Sequence, residues 1–327
     1  MSQEPRMRLS RRTTLALPAS LVATAAGAQG FPDRPLRWIV GYPPGGASDA
    51  FARLIAGLMA PRLGQNVVVE NRPGGGAVLA SETAARSPAD GLTWLHVDNG
   101  ILVYNPALYA RLPINPDTDF TGVGFIGRFP LYLVVRADSP WQDFAAYRAA
   151  ARSLAPNYGT PAVASPHHLA MEMVKRRTGL DAQHVPFRGG PAAMQELLAG
   201  NIESVVIDTA TGLPFIADGR VRALCVLSET RSEKAPAVPT LRELGFAEAV
   251  AYGWQGMSVP AATPATIINR LSAEMIAAIQ SPEISGRMST LGIEYRPWSP
   301  AEFNAFVAAE NAVWRPLIRE LGIRIDG

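Results

Sequence analysis

Residues 36–62 read LRWIVGYPPGGASDAFARLIAGLMAPR, and this stretch decides the expected fold. The apolar run Leu36–Val40 predicts a buried strand, and the segment from about Asp49 to Arg62 has the apolar spacing of a helix. Two prolines and three glycines separate the strand from the helix, which is typical of a tight turn with an exposed backbone. A strand, a Gly-rich turn and a helix in this order indicate the first unit of an α/β sheet.

The same alternation continues toward the C-terminus. Val67–Glu70 predicts a second strand, Ala77–Arg86 a helix and Leu92–Val97 a third strand. This order predicts a parallel sheet with helices on both faces.

The pattern changes at two apolar runs, Val123–Ile126 and Leu131–Val135, and a second alternating series follows. Its predicted helices and strands are a helix from Trp141, a strand near Tyr158, helix Pro166–Thr178, strand Ala182–Pro186, helix Pro191–Ala199, strand Ile202–Ile207, helix Gly212–Asp218 and strand Val221–Leu227. The chain then returns through a strand at Trp254–Val259 and ends in helices Pro264–Gln280 and Pro300–Leu321. A second lobe inserted into the first leaves crossings near Gly127 and Ala251, with a cleft between the lobes where small ligands usually bind.

The N-terminus has the pattern of an export signal. Basic residues precede the apolar run Leu15–Ala26, and the small residues Ala26-Gly27-Ala28 predict cleavage after about Ala28. The run is shorter than the about 20 residues that a membrane-spanning helix needs. Ser10–Leu15 is similar to a twin-arginine signal, and the sequence leaves that route and the general route open.

The formal net charge of +2 arises largely from this leader, so the remaining chain is close to neutral. Nothing in that balance favours nucleic acid as a partner. The single cysteine, Cys225, lies in a predicted strand and cannot form an internal disulfide.

The clearest candidate site is the turn Tyr42–Asp49. Its glycines let a ligand approach the backbone, Ser48 or Asp49 can cap the helix, and the first helical N–H groups can bind an anion. The candidate ligand-binding residues of this turn are Tyr42, Gly45, Gly46, Ala47, Ser48 and Asp49. The alternative is a Gly-rich turn with a purely structural role.

Other chemical motifs are absent or weak, so we expect no catalytic residue, metal site or cofactor. The G-x-G-x-x-G at Gly122–Gly127 lies inside a predicted strand and not after one, which argues against nucleotide binding. Neighbouring His167 and His168 point about 100° apart on a helix and do not converge on a metal. Asp208 ends a strand of the second lobe, where it could contact a ligand or be an ordinary loop residue.

Several motifs, in order from residue 31 to the C-terminus, together resemble one family. They are IVGYPPGGASD at 39–49, GQNVVVENRPG at 64–74, SPHHLA at 165–170 and HVPFRGGPA at 184–192. The chain resembles Bug-type receptors, the substrate-binding components of tripartite tricarboxylate transporters. The resemblance implies a periplasmic binding protein type II-like α/β fold, with two lobes joined by two hinge crossings around a ligand cleft. We expect lobe 1 at 29–127 with 253–327, and lobe 2 at 128–252.

The resemblance also implies a function. The expected ligand is a small carboxylate such as a dicarboxylate, an amino acid or an aromatic acid, and the expected partners are integral-membrane permease subunits. We expect a monomer in the periplasm. The further ligand-binding residues that it implies are Asp98, Asn99, Thr160, Ser165, His168, Arg188, Gly189, Gly190 and Asp208.

The chain departs from the family pattern in both lobes. Gly41 and Tyr42 stand where the family usually has Pro and Phe, and Pro161, Ala162 and Ala164 interrupt its Gly/Ser-rich loop. The distal group of the ligand is therefore open. A sensor receptor for a signalling system and a periplasmic enzyme on the same fold are the alternative functions.

Overall fold

The computed structural model describes residues 30–45 and 47–325, in which nine strands form one mixed sheet. The predicted leader and Gly46 lie outside the described residues. The strands are β1 Leu36–Val40, β2 Val67–Asn71, β3 Thr93–Asp98, β4 Phe120–Arg136, β5 Asn157–Thr160, β6 Gln183–Pro186, β7 Ser204–Asp208, β8 Val221–Val226 and β9 Tyr252–Pro260. Their order is β2-β1-β3-β9-β4-β7-β5-β6, and β8 also pairs with β4.

Helices cover the sheet between these strands. They are α1 Ala47–Leu63, α2 Val78–Ala85, α3 Asn105–Leu108, α4 Pro116–Asp119, α5 Phe144–Leu154, α6 Pro166–Thr178, α7 Gly190–Ala199, α8 Thr209–Ala217, α9 Ala265–Ile279, α10 Pro282–Thr290 and α11 Pro300–Glu320. A π-helical turn, Gly100–Tyr104, precedes α3. No helix of the described part is long and apolar enough to cross a bilayer.

Strand β4 belongs to both halves of the sheet. Residues Phe120–Pro130 pair with β9, whereas Leu131–Arg136 pair with β7 and β8. We call β1, β2, β3, β9 and the first part of β4, with their helices, the first lobe, and the remaining strands with α5–α8 the second lobe. The predicted parallel pairing is confirmed for β1 with β2 and β3. Strand β5 likewise pairs in parallel with β6 and β7.

The sequence predicted two separate apolar runs where the structure has the single strand β4. Glycines in the first part of β4 let helices pack closely on the strand. A Cβ at Gly124 would collide with the Met275 side chain of α9, and one at Gly122 would lie 2.6 Å from Phe303 of α11. The G-x-G-x-x-G motif is thus a packing feature of a bulged strand.

The crossing between the lobes is held by a cluster around Arg128 of β4. Its guanidinium is 3.0 Å from Glu229 and 3.0 Å from Glu294, and it lies 3.8 Å from the centre of the Tyr252 ring. Tyr252 in turn donates its hydroxyl to Glu229 at 2.6 Å. These contacts join β4, β9 and the segment after α10, and so position the cleft between the lobes. The lobe boundaries at 127/128 and 252/253 stay predictions.

Candidate functional site

A cavity of about 290 Å³ opens between the two lobes. From the first lobe it is lined by the start of α1, by β4 and by Gln255 of β9, and from the second by His167, Asp208 and Thr211. Arg287 and Met288 of α10 form another wall. Most of the lining is apolar, so the few polar groups determine what a ligand must present.

The turn before α1 reaches this cavity through Gly45 and Ala47. Gly45 has φ of +82°, a left-handed conformation that favours glycine. Its N–H donates to the Asp49 carboxylate at 2.9 Å, and Asp49 also accepts from Asn71 at 2.9 Å. Hydrogen bonding from Arg53 is the main reason that the pKa of Asp49 falls to about 2. Asp49 is therefore ionised at neutral pH, and it stabilises the turn by accepting the hydrogen bond from Gly45.

The first N–H groups of a helix have no carbonyl partner within the helix. In α1 these groups belong to Ala47, Ser48 and Asp49, at the end that opens on the cavity. The positive end of the helix dipole adds to their attraction for an anion.

A buried hydrogen-bond chain orients the hydroxyl of Ser48. Gln255 Nε2 donates to Ser48 Oγ at 3.1 Å, and Gln255 Oε1 lies 3.2 Å from His96 Nε2. Burial lowers the pKa of His96 to about 4, so the ring is neutral at pH 7 and can donate from Nε2 to the amide oxygen. Because Gln255 donates to Ser48, the Ser48 proton is left for another acceptor, such as a bound anion.

The second lobe contributes the start of α8. Asp208 caps this helix by accepting from the N–H of Thr211 at 2.9 Å and from its hydroxyl at 3.2 Å. His167 Nε2 lies 3.4 Å from Asp208 Oδ2. Burial alone would raise the pKa of Asp208, but His167 and the Thr211 donors outweigh it and hold the pKa below its usual value.

Tyr42 and Asp98 are brought together, but they bond to each other and lie outside the cavity lining. Asp98 also accepts from the N–H of Ile101 at 3.0 Å, at the start of the π-helical turn. Burial raises the pKa of Asp98, and the bond from Tyr42 opposes that rise. Tyr42 thus anchors the turn to the end of β3.

The side chain of Asn99 lies outside the cavity lining and bonds to β9. Its side chain is 0% exposed, accepts from the N–H of Trp254 at 2.8 Å and donates to the carbonyl of Tyr252 at 3.2 Å. It therefore fastens the start of β9 to the end of β3.

Replacing Asn99 with alanine should lower the free energy of unfolding by about 2–3 kcal/mol, because two buried main-chain groups lose their partner. Urea unfolding of Asn99→Ala measures this, with the exposed Asn201→Ala as a control that should lose less than about 0.5 kcal/mol. Ligand affinity should change by less than about threefold, or 0.6 kcal/mol. An unchanged stability with a large loss of affinity would instead place Asn99 on the ligand.

The second-lobe loop at 160–168 turns its polar groups inward. Thr160 is 0% exposed and bonds His184 at 2.7 Å, and Ser165 caps α6. His168 accepts from the N–H of Ala164 at 2.9 Å and stacks on His184 at 3.7 Å between ring centres. Burial, followed by the neighbouring His184, lowers the pKa of His168 to about 4. Thr160, Ser165 and His168 are not brought to the cavity.

The turn before α7 also lies outside the cavity lining. Gly189 donates its N–H to the carbonyl of Pro161 at 2.9 Å, and Gly190 begins α7 against Ile207 and Thr211. Arg188 is exposed. Of the predicted residues, the structure brings Gly45, Ala47 and Asp208 to the cavity, with Ser48 reaching it through Gln255, while Gly46 lies outside the described residues.

Sequence reasoning missed His167, Thr211, Gln255 and Arg287. Only His167 had a signal in the sequence. Two adjacent histidines on a helix point in different directions, so one of the two could face a ligand when the other does not. Among the described residues, no group of three His, Cys, Asp or Glu side chains could hold a metal ion.

Comparison with known proteins assigns this chain to a family. The sequence profile described as "Tripartite tricarboxylate transporter family receptor" matches residues 51–323. The chain belongs to this family. Protein BugT of Bordetella pertussis is 33% identical over 309 residues, which cover 93% of this chain and 94% of that protein.

Solved structures of similar proteins have the same architecture. An adipate-bound R. palustris protein has a TM-score of 0.78 at 29% identity, covering 90% of this chain and 99% of its own. MatC from Rhodopseudomonas palustris with bound malate has a TM-score of 0.76 at 28% identity, covering 88% and 100%. These matches confirm the periplasmic binding protein type II-like fold. As a member of this receptor family, the chain is a solute-binding receptor, and the family is not an enzyme family.

Proposed function

We propose that this receptor captures one small carboxylate at the start of α1, between its two lobes, and delivers it to integral-membrane permease subunits. The observation that carries the proposal is that the first turn of α1 opens on the cavity next to the oriented Ser48 hydroxyl. A hydrogen bond to a charged group contributes about 1.5–3 kcal/mol, so a few such donors hold a carboxylate without a lysine or arginine.

The second lobe supplies the contacts that favour closure. A ligand shifts the balance between open and closed forms only through contacts that are stronger in the closed form. His167 and Asp208 lie across the cavity from α1 and come from the lobe that moves relative to it, so they provide such contacts. Arg128 and Tyr252, at the crossings, provide the pivot.

Family relatives support the carboxylate assignment, because the solved structures with adipate and with malate both contain carboxylate ligands. The family is periplasmic, and we assign the mature chain to the periplasm as a monomer, with residues 1–28 removed as a signal peptide. Family membership likewise supports a transporter, and not an enzymatic step, as the next stage after binding.

Thermal unfolding of the mature protein with a panel of acids tests this proposal. The panel contains monocarboxylates, dicarboxylates, amino acids and aromatic acids, and each acid is paired with its methyl ester, which lacks the carboxylate charge. At 100 times its Kd, a ligand adds about 2.7 kcal/mol of stability, so at least one acid should raise Tm while its ester does not. If no acid raises Tm, or if esters stabilise as well as acids, the proposed function is wrong.

A further inference from the structure

His167 is the most unusual polar side chain at the cavity. It is 7% exposed and lines the cavity. Its Nδ1 has no hydrogen-bond partner within the described residues, and its Nε2 faces only Asp208, at 3.4 Å. Buried polar groups are nearly always hydrogen-bonded, and a buried orphan beside a cavity indicates that a ligand supplies the partner.

Asp208 defines what that partner can be. Its carboxylate lies 3.4 Å from His167 Nε2, with its side chain 19% exposed, and the donors of Thr211 favour the ionised form. Because Nε2 is the nitrogen beside Asp208, we assign the ring proton to Nε2, which leaves Nδ1 as an acceptor that requires a donor from the ligand. The end of the cavity away from α1 therefore offers two acceptors and a fixed negative charge.

The walls between the two ends are apolar. Phe51 and Ile126 line the first-lobe side, and Phe129, Met288 and Leu291 line the remainder. A ligand that spans from α1 to His167 must therefore carry a hydrophobic body. A second carboxylate at its far end would lie beside Asp208 in a poorly solvated site, where like charges repel strongly.

Arg287 is a competing group, because it also lines the cavity and could attract a second carboxylate. Its side chain is exposed, and it forms no ion pair among the described residues. An exposed guanidinium is screened by water and salt, whereas Asp208 and His167 are largely buried. The buried pair should therefore dominate.

We propose that His167 and Asp208 select a monocarboxylate with an apolar body and a hydroxyl or amino group at its far end, and that they reject dicarboxylates. This inference rests on the proposed function, since it takes the first carboxylate to be held at α1.

Titration calorimetry on the mature protein, with the same panel and two matched pairs, tests the inference. The pairs are 4-hydroxybenzoate with terephthalate, and 6-hydroxyhexanoate with adipate. The tightest ligand of the panel should be a monocarboxylate, and each hydroxy acid should bind at least about tenfold tighter than its matched diacid. A diacid as the tightest ligand overturns the inference but leaves the proposed function intact, whereas the absence of binding by any acid removes both.

Two variants test whether His167 and Asp208 cause the preference for hydroxy acids over diacids. Asp208→Asn keeps an oxygen for the Thr211 N–H but removes the charge, so the ratio of diacid to hydroxy acid affinity should rise at least about tenfold. Asp218→Asn is the matched control, because Asp218 ends the same helix outside the cavity lining and should leave the ratio unchanged. An unchanged ratio in Asp208→Asn contradicts the role of Asp208.

His167→Phe keeps a buried ring without polar atoms. It should erase the advantage of 4-hydroxybenzoate over benzoate while leaving benzoate affinity within about threefold of wild type. Asp208→Asn alters a helix cap and could unfold the protein. His167→Phe leaves that cap intact, so the inference can still be tested with it. A retained hydroxyl preference in His167→Phe contradicts the role of His167.

Discussion

Replacing Ala50 with glutamate should weaken carboxylate binding about 100-fold or more, with Tm unchanged or slightly higher. Ala50 lies in the first turn of α1 and lines the cavity, so the new carboxylate would stand next to the bound anion. Two like charges about 5 Å apart repel by about 3 kcal/mol at an effective dielectric constant near 20, which corresponds to about 100-fold in Kd. A negative charge near a helix N-terminus stabilises the helix, so misfolding cannot explain the loss.

Two controls separate charge from size and from position. Ala50→Gln has the same bulk without the charge and should lose much less affinity than Ala50→Glu. Ala60→Glu places the same charge on α1 away from the cavity lining and should bind as wild type does. Equal affinity of Ala50→Glu and wild type in calorimetry would place the anion elsewhere.

Replacing Gln255 with glutamate should also reduce affinity about 100-fold. The new carboxylate would accept a hydrogen bond from the Ser48 hydroxyl and so turn that hydroxyl away from the ligand. It would also add a negative charge to the cavity wall. Binding is best measured at pH 8, because the added charge would raise the pKa of His96 and a higher pH keeps that ring neutral.

Gln255→Met is the matched control for this variant. It has similar volume but cannot orient Ser48, so it should lose about tenfold, the effect of about one hydrogen bond. If Gln255→Glu binds as tightly as Gln255→Met, the charge does not face the ligand, and the proposed orientation of Ser48 is wrong.

The unit β1–turn–α1 could be predicted because its signals are local. An apolar run, a Gly-Pro turn and a helical period occur within the 27 residues 36–62, and the structure has β1 at Leu36–Val40 and α1 at Ala47–Leu63. Asp49 and Asp208 were also found by position, the first in a helix start and the second at a strand end. Their roles as supports of a turn and a helix emerge only with their partners, Gly45 and Thr211.

The choice between His167 and His168 could not be made from the sequence. Adjacent helical residues point in different directions, and which one faces the cavity depends on how α6 packs. His168 is held inward by Ala164 and His184, which leaves His167 facing the cavity. The wall formed by α10 had no sequence signal either, because Pro282–Thr290 has few apolar residues and is distant in sequence from the other lining residues.

A crystal structure of the mature protein with the tightest ligand of the panel tests the central claim most directly. The account predicts carboxylate oxygens within about 3.2 Å of the main-chain nitrogens of Ala47 and Ser48, with Ser48 Oγ as a further donor. A carboxylate bound to the Arg287 guanidinium, with the first-turn amides of α1 facing only solvent, would contradict it.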